Sequence, residues 1–169
     1  MKQIKTLLIA VALILGATTF TNAQTKVAHI ATQELIEQMP SYKAAMNQLE
    51  KLQKTYDTQI KEMVTEAQTT MKRYETEAQT KTDEENQRRA NELQQTQRSI
   101  GEYRQTAMQD LQQKEVELLR PVLEKARTTI QKVARAQGYD YVLDSTTGTG
   151  VIMADGYDLM ADVKKDLGI

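Results

Sequence analysis

The string Thr80-Lys81-Thr82-Asp83-Glu84-Glu85 decides the fold. On each side of it runs a long stretch with apolar or small residues at helical spacing. Before it they are Tyr42, Ala45, Leu49, Leu52, Tyr56, Ile60, Met63, Ala67, Met71, Tyr74 and Ala78. After it they are Leu93, Ile100, Tyr103, Ala107, Leu111, Leu118, Val122, Ala126, Ile130 and Val133. Each set occupies one narrow helix face, as in a coiled coil, and Lys, Gln, Glu and Thr fill the rest. Thr82 followed three residues later by Glu85 is a capping-box pattern, which starts a new helix. Two helices joined by so short a turn must fold back antiparallel.

The outer limits of this hairpin are equally marked. Pro40 suits a first helical turn, where its missing N–H is not needed. Gly138 suits a left-handed cap. The span 41–137 is therefore a helical-hairpin arm with its tip near 80–83. About 40 residues at ~1.5 Å each give an arm of about 60 Å. Between Arg88 and Arg98 there is almost nothing apolar except Leu93, so the tip is expected to be thinly packed and to open first. Beyond Leu111 a second stripe, Val116, Leu119 and Leu123, predicts a base buried on two sides. Gly101 weakens its helix by about 1 kcal/mol relative to Ala. Pro121 removes a backbone hydrogen bond and should bend the helix. Gly101 and Pro121 are the hinge candidates.

The flanks read as a small β body made of residues 24–40 and 138–169. Lys26-Val27-Ala28-His29-Ile30-Ala31 is a strand, and Thr32 caps a short helix through Glu34, Leu35 and Ile36. Residues 139–144 and 151–154 flank Ser145-Thr146-Thr147-Gly148-Thr149-Gly150, a pattern that predicts a β-hairpin with a Gly-rich turn. Asp158 can cap a last amphipathic helix with Leu159, Met160, Val163 and Leu167. The fold class is mainly α with a small, β-barrel-like oligomerisation body. A unit that small usually needs disulfides, metal or oligomerisation, and the chain has no Cys. Val27, Ile30, Val142, Leu143, Val151 and Ile152 are therefore expected between subunits or in the body core.

Residues 1–23 read as a signal peptide: Lys2 and Lys5, an apolar run from Leu7 to Gly16, then Thr21-Asn22-Ala23. Cleavage is expected between Ala23 and Gln24. The apolar run is too short to span a ~30 Å hydrocarbon core, so no stable membrane anchor is expected. Without that segment 20 basic residues stand against 23 acidic ones, which argues against nucleic-acid binding.

No constellation points to catalysis, a cofactor or a metal. Ser145 to Gly150 lacks the Gly-Lys-Ser/Thr ending of a phosphate loop. His29 is the sole histidine and has no nucleophile motif beside it. The carboxylates alternate with Lys and Arg, as on solvated helix faces. Met63 and Met71 read as seam packing. Met46, Val64 and Met108 are the client-contact candidates, since Met offers an adaptable apolar surface.

Several strings carry a resemblance. They are Lys26-Val27-Ala28-His29-Ile30, the run from Gln33 through Pro40-Ser41-Tyr42 to Ala45, Lys114 through Arg120-Pro121 to Lys125, Gly138-Tyr139-Asp140-Tyr141-Val142-Leu143-Asp144, and the ending from Asp155 to Ile169. With the order of elements, they resemble the Skp/OmpH family of periplasmic chaperones. The resemblance implies a homotrimer with a barrel body. Three helical arms would enclose a cavity for unfolded outer-membrane proteins, held without ATP. It implies a holdase; the alternative is a structural coiled-coil envelope protein. Best-known members are strongly basic. Here Lys72, Arg73, Lys81, Arg88 and Arg89 face Glu75, Glu77, Asp83, Glu84 and Glu85, which puts a lipopolysaccharide site in doubt.

Overall fold

The structure, a computed structural model, describes residues 25–169. The signal-peptide reading of residues 1–23 lies outside them. Strand β1 (Val27–Ile30) leads into helix α1 (Thr32–Gln38) and the arm helix α2 (Pro40–Glu77). A single 3-10 turn, Ala78–Thr80, precedes the returning helix α3 (Asp83–Ala136). Strands β2 (Tyr141–Asp144) and β3 (Tyr157–Asp158) and helix α4 (Met160–Leu167) close the chain.

The expected helix signals are in place. The Thr82 hydroxyl oxygen accepts the Glu85 N–H at 3.2 Å. Asp83, Glu84 and Glu85 stand in the first turn of α3, where the helix dipole favours negative charge. At the far end Gly138 adopts φ +74°, with Gly138 N–H on the Arg135 carbonyl and Tyr139 N–H on that of Ala134. That is a Schellman closure, and it needs a residue that tolerates the left-handed region. α3 runs unbroken through Pro121, which sits on an exposed face next to buried Val122. A Cβ added at Gly101 would meet nothing within 4 Å. Gly101→Ala should therefore raise arm stability by about 1 kcal/mol through helix propensity alone. Thermal melts check it; a lowered melting point would show that α3 needs glycine there for another reason.

The sheet differs from the expected hairpin. All pairs are parallel and the order is β2-β1-β3. Residues 151–154 form no strand; the chain instead crosses β1 and pairs Tyr157–Asp158 with its far side. The Gly-rich turn that suggested the hairpin serves a crossing loop. One sheet face packs on helices. Ala28 and Ile30 join Leu35, Met39, Val122, Ala126, Ile130, Val133, Leu159 and Val163 in one core, so the last turns of α3 share the core of the body. Tyr157, through its hydroxyl, and Gln137 bind Asp162 at 2.8 and 2.9 Å, and Lys132 pairs with Asp166 at 2.6 Å. These contacts hold α4 to the base of α3.

Helix α1 is not capped by Thr32 itself. Asp144, at the end of β2, accepts the Thr32 N–H at 3.2 Å and the Thr32 hydroxyl at 2.6 Å, and Thr146 Oγ1 accepts the Gln33 N–H. Burial pushes the Asp144 carboxyl up, but hydrogen bonds from Thr146 and Thr32 outweigh it and hold it at about 2. An unfolded Asp titrates near ~3.9. The folded value is depressed, so the stabilisation is present above about pH 4 and fades as pH falls toward 2. Asp144→Asn should flatten that acid limb of the stability curve, as urea melts at stepped pH would read.

Candidate functional site

The arm seam is built as its pattern requires. Tyr56 and Tyr103 meet edge to face, ring centroids 6.0 Å apart. The Tyr56 hydroxyl donates to Asp110 at 2.7 Å, and the Tyr103 hydroxyl donates to Gln59. Ala45, Ile100 and Ala107 are buried between the helices. One seam expectation fails. Met71 is exposed, because it lies at the margin of the contact rather than in it; Met63 is half-buried. The second stripe near the base is also uncovered: Val116 and Leu123 are exposed in the single chain, and only Leu119 is half-buried. None of the described residues covers Val116 or Leu123.

The tip is a polar cluster rather than a thin one. Arg89, counted in the sequence among surface charges, is buried and lies 4.4 Å from the Tyr74 ring centroid. Its Nη2 donates to Glu77 at 2.7 Å and its Nε to Glu85 at 3.2 Å. Asn86 Nδ2 donates to the Ala78 carbonyl at 3.0 Å. Hydrogen bonds from Arg88 hold the Glu85 carboxyl at about 2; burial opposes them and Arg89 adds to them. A guanidinium stacked on an aromatic face and bonded to two carboxylates resists replacement by Lys, which has no planar fork. Arg89→Lys should therefore speed amide exchange across the tip several-fold while the base stays protected. Unchanged exchange would mean that the seam alone holds the tip.

Two kinds of open apolar surface remain. The first lines the arm. Met46 borders a groove with Leu49 and Leu111, and Val64 borders another with Met71, Leu93 and Ile100. Met108 is strongly exposed but lies in neither groove. The second is the outer face of the sheet. In register, Val27 stands opposite Tyr141 and His29 opposite Leu143, and all four side chains project away from the helices. Val27, Tyr141 and Leu143 are exposed. Of the six expected body residues, Ile30 is in the core, Val142 packs against it, and Val27, Leu143 and Ile152 are exposed; Val151 is half-buried. Tyr141 was missed, although its alternation with Val142 in the sequence could have placed it. The described residues hold no group of three His, Asp or Glu fit for a metal, and none of their helices is long and apolar enough to cross a membrane.

Comparison with known proteins now decides the family. The family described as "Outer membrane protein (OmpH-like)" matches residues 26–167. The chain belongs to the OmpH-like family. Among its relatives is the "Chaperone protein Skp" of Photorhabdus luminescens, 27% identical over 123 residues, covering 73% of this chain and 74% of that one. Another protein of that name, from Yersinia enterocolitica, is 25% identical over 143 residues, covering 84% and 85%. The fold agrees with the crystal structure of a putative OmpH-like outer membrane chaperone from Caulobacter crescentus. The TM-score is 0.76 at 19% identity, over 86% of this chain and 85% of that one. An OmpH-like arm on a small open sheet is thus the architecture of this chain.

Proposed function

We propose that this OmpH-like protein is an exported, periplasmic holdase that binds unfolded outer-membrane proteins without nucleotide or other cofactor. It would do so as a homotrimer, with the client in the space between the arms. One observation carries the reading: a parallel sheet whose outer face is bare. Parallel sheets occur almost only with both faces covered. Here the helices cover one face, while Val27, Tyr141 and Leu143 lie open on the other. Copies of the chain joined through these faces bury them. Cyclic symmetry then sends every arm from the same end of the ring.

The arms suit the task. α2 has 38 residues, which at ~1.5 Å each gives about 57 Å of length. A client of ~200 residues has a compact radius near 16 Å and fits between such arms. Met46, Val64 and Met108 would give it weak, adaptable contacts. Gly101 and Pro121 would let the arms flex around clients of different size. Arg88 and Arg89 are engaged by Glu85 and Glu77, and Lys72, Arg73 and Lys81 are matched in number by Glu75, Asp83 and Glu84, which weighs against a lipopolysaccharide site at the tip. No step of this work needs an enzyme site.

The test is dilution of a urea-unfolded outer-membrane barrel into nucleotide-free buffer with increasing amounts of the protein. Turbidity should fall to baseline at a fixed ratio. Undiminished aggregation in the presence of assembled protein would leave the alternative, a structural coiled coil.

A further inference from the structure

The chain has no Cys, so all of its sulfur is thioether. Its methionines divide by burial. Met39 is 2% exposed in the core of the body, and Met160 packs half-buried against that core. Met46, Met71 and Met108 stand on the arm at 41%, 39% and 63% exposed.

Those three sulfurs share one lateral side of the hairpin. On α2, Met46 and Val64 are about five full turns apart, and Met71 is about two turns further, so all three point the same way. On α3, Leu93, Ile100, Arg104, Met108, Leu111 and Glu115 recur at steps of three, four or seven and likewise share a side. The two arm grooves bring these sides together. One joins Val64 and Met71 to Leu93, Ile100 and Arg104, and the other joins Met46 to Leu111 and Glu115. Met108 lies on the α3 stripe between Arg104 and Leu111, and so between the grooves. By the same geometry Gln59 and Asp110 lie on the opposite side, where they accept the hydroxyls of Tyr103 and Tyr56. One side of the arm is thus apolar with three open sulfurs along it, and the other is polar.

We propose that Met46, Met71 and Met108 form an oxidation site through which a peroxide switches client holding off. This inference rests on the holding function read above. A sulfur lone pair takes one oxygen from the peroxide as the O–O bond breaks. The thioether is oxidised by two electrons to a sulfoxide, and the peroxide leaves as water. The product is polar, so the side that offered adaptable apolar contact loses it. A methionine sulfoxide reductase reverses the step at the expense of a dithiol, which becomes a disulfide with release of water. Met39 is shielded, so there is a dose at which the arm side is converted while the core of the body is intact.

The test compares the unmodified chain with one carrying Met46→Leu, Met71→Leu and Met108→Leu, which keeps Met39, Met153 and Met160. Each is treated with graded hydrogen peroxide, freed of oxidant and compared with its own untreated sample. Peptide mass spectrometry reads sulfoxide at each Met, and light scattering reads the assembly mass. Turbidity of a diluted, urea-unfolded outer-membrane barrel reads the holding. Sulfoxide is expected at Met108, Met46 and Met71 well before Met39. At that dose the unmodified chain should keep its assembly mass and need a several-fold higher ratio to suppress turbidity. Reductase with dithiol should restore the starting ratio, which reads the switch without any substitution. The substituted chain should hold as it did before treatment. Full sulfoxide at the three arm positions with unchanged holding would overturn the inference. So would an equal loss in the substituted chain, no recovery with reductase, or sulfoxide at Met39 as early as at Met108. Loss of holding together with loss of assembly would place the effect in the body and overturn it too. No holding by the untreated, unmodified chain would remove the holding function itself, and this inference with it.

Discussion

Changing Tyr141 and Leu143 together to Asp is expected to turn the assembly into monomers with unchanged helix content. Both side chains are exposed on the open sheet face, so the single chain loses little buried contact. In the assembly the change would place carboxylates in an apolar contact. Burying a charge without a partner costs several kcal/mol, enough to abolish association at micromolar concentration. Light scattering together with circular dichroism checks it. Asp at these positions with the oligomer intact would show that another surface joins the copies.

The second large effect lies in the core of the body. Leu159 is fully buried among the residues of β1, α3 and α4, and its N–H donates to the His29 carbonyl at 3.0 Å. Leu159→Ala keeps that hydrogen bond but removes the side chain from a closed cluster. Such truncations cost about 2–5 kcal/mol, depending on how far the site can collapse. In so small a body that is a large fraction of its stability. Urea melts should show an early transition of the body, with the arm helices lost later or less steeply. A shift below about 0.5 kcal/mol would mean that this cluster does not hold the body together.

The two variants separate two links of the chain of cause. The first leaves the subunit folded and removes its neighbours. The second leaves the interface residues in place and removes the support beneath them. Client holding should fail in both, but only the second should lower the melting point of the single chain.

What could be read from the sequence was what depends on neighbours a few residues apart. The seam stripe around Tyr56 and Tyr103, the Thr82 cap and the Gly138 closure all follow from local geometry. What could not be read depends on residues far apart in the chain. Asp144 caps a helix that begins at Thr32, 112 residues earlier. The strand after the Gly-rich turn lies at Tyr157 rather than at 151–154, because the edge available to it is on the far side of β1. Arg89 sits in a run of charges, and its burial comes from Tyr74 and Glu77 on the other helix. Met71, Val116 and Leu123 fit a buried pattern, but the described residues of one chain leave them exposed.

The claim at the centre is that the arms of one assembly enclose one unfolded client. Light scattering on the protein in excess over a urea-unfolded outer-membrane barrel, after rapid dilution, tests it most directly. The expected result is a single complex whose mass is that of three chains plus one client. A complex of one chain per client, several clients per assembly, or an assembly that binds none would contradict it.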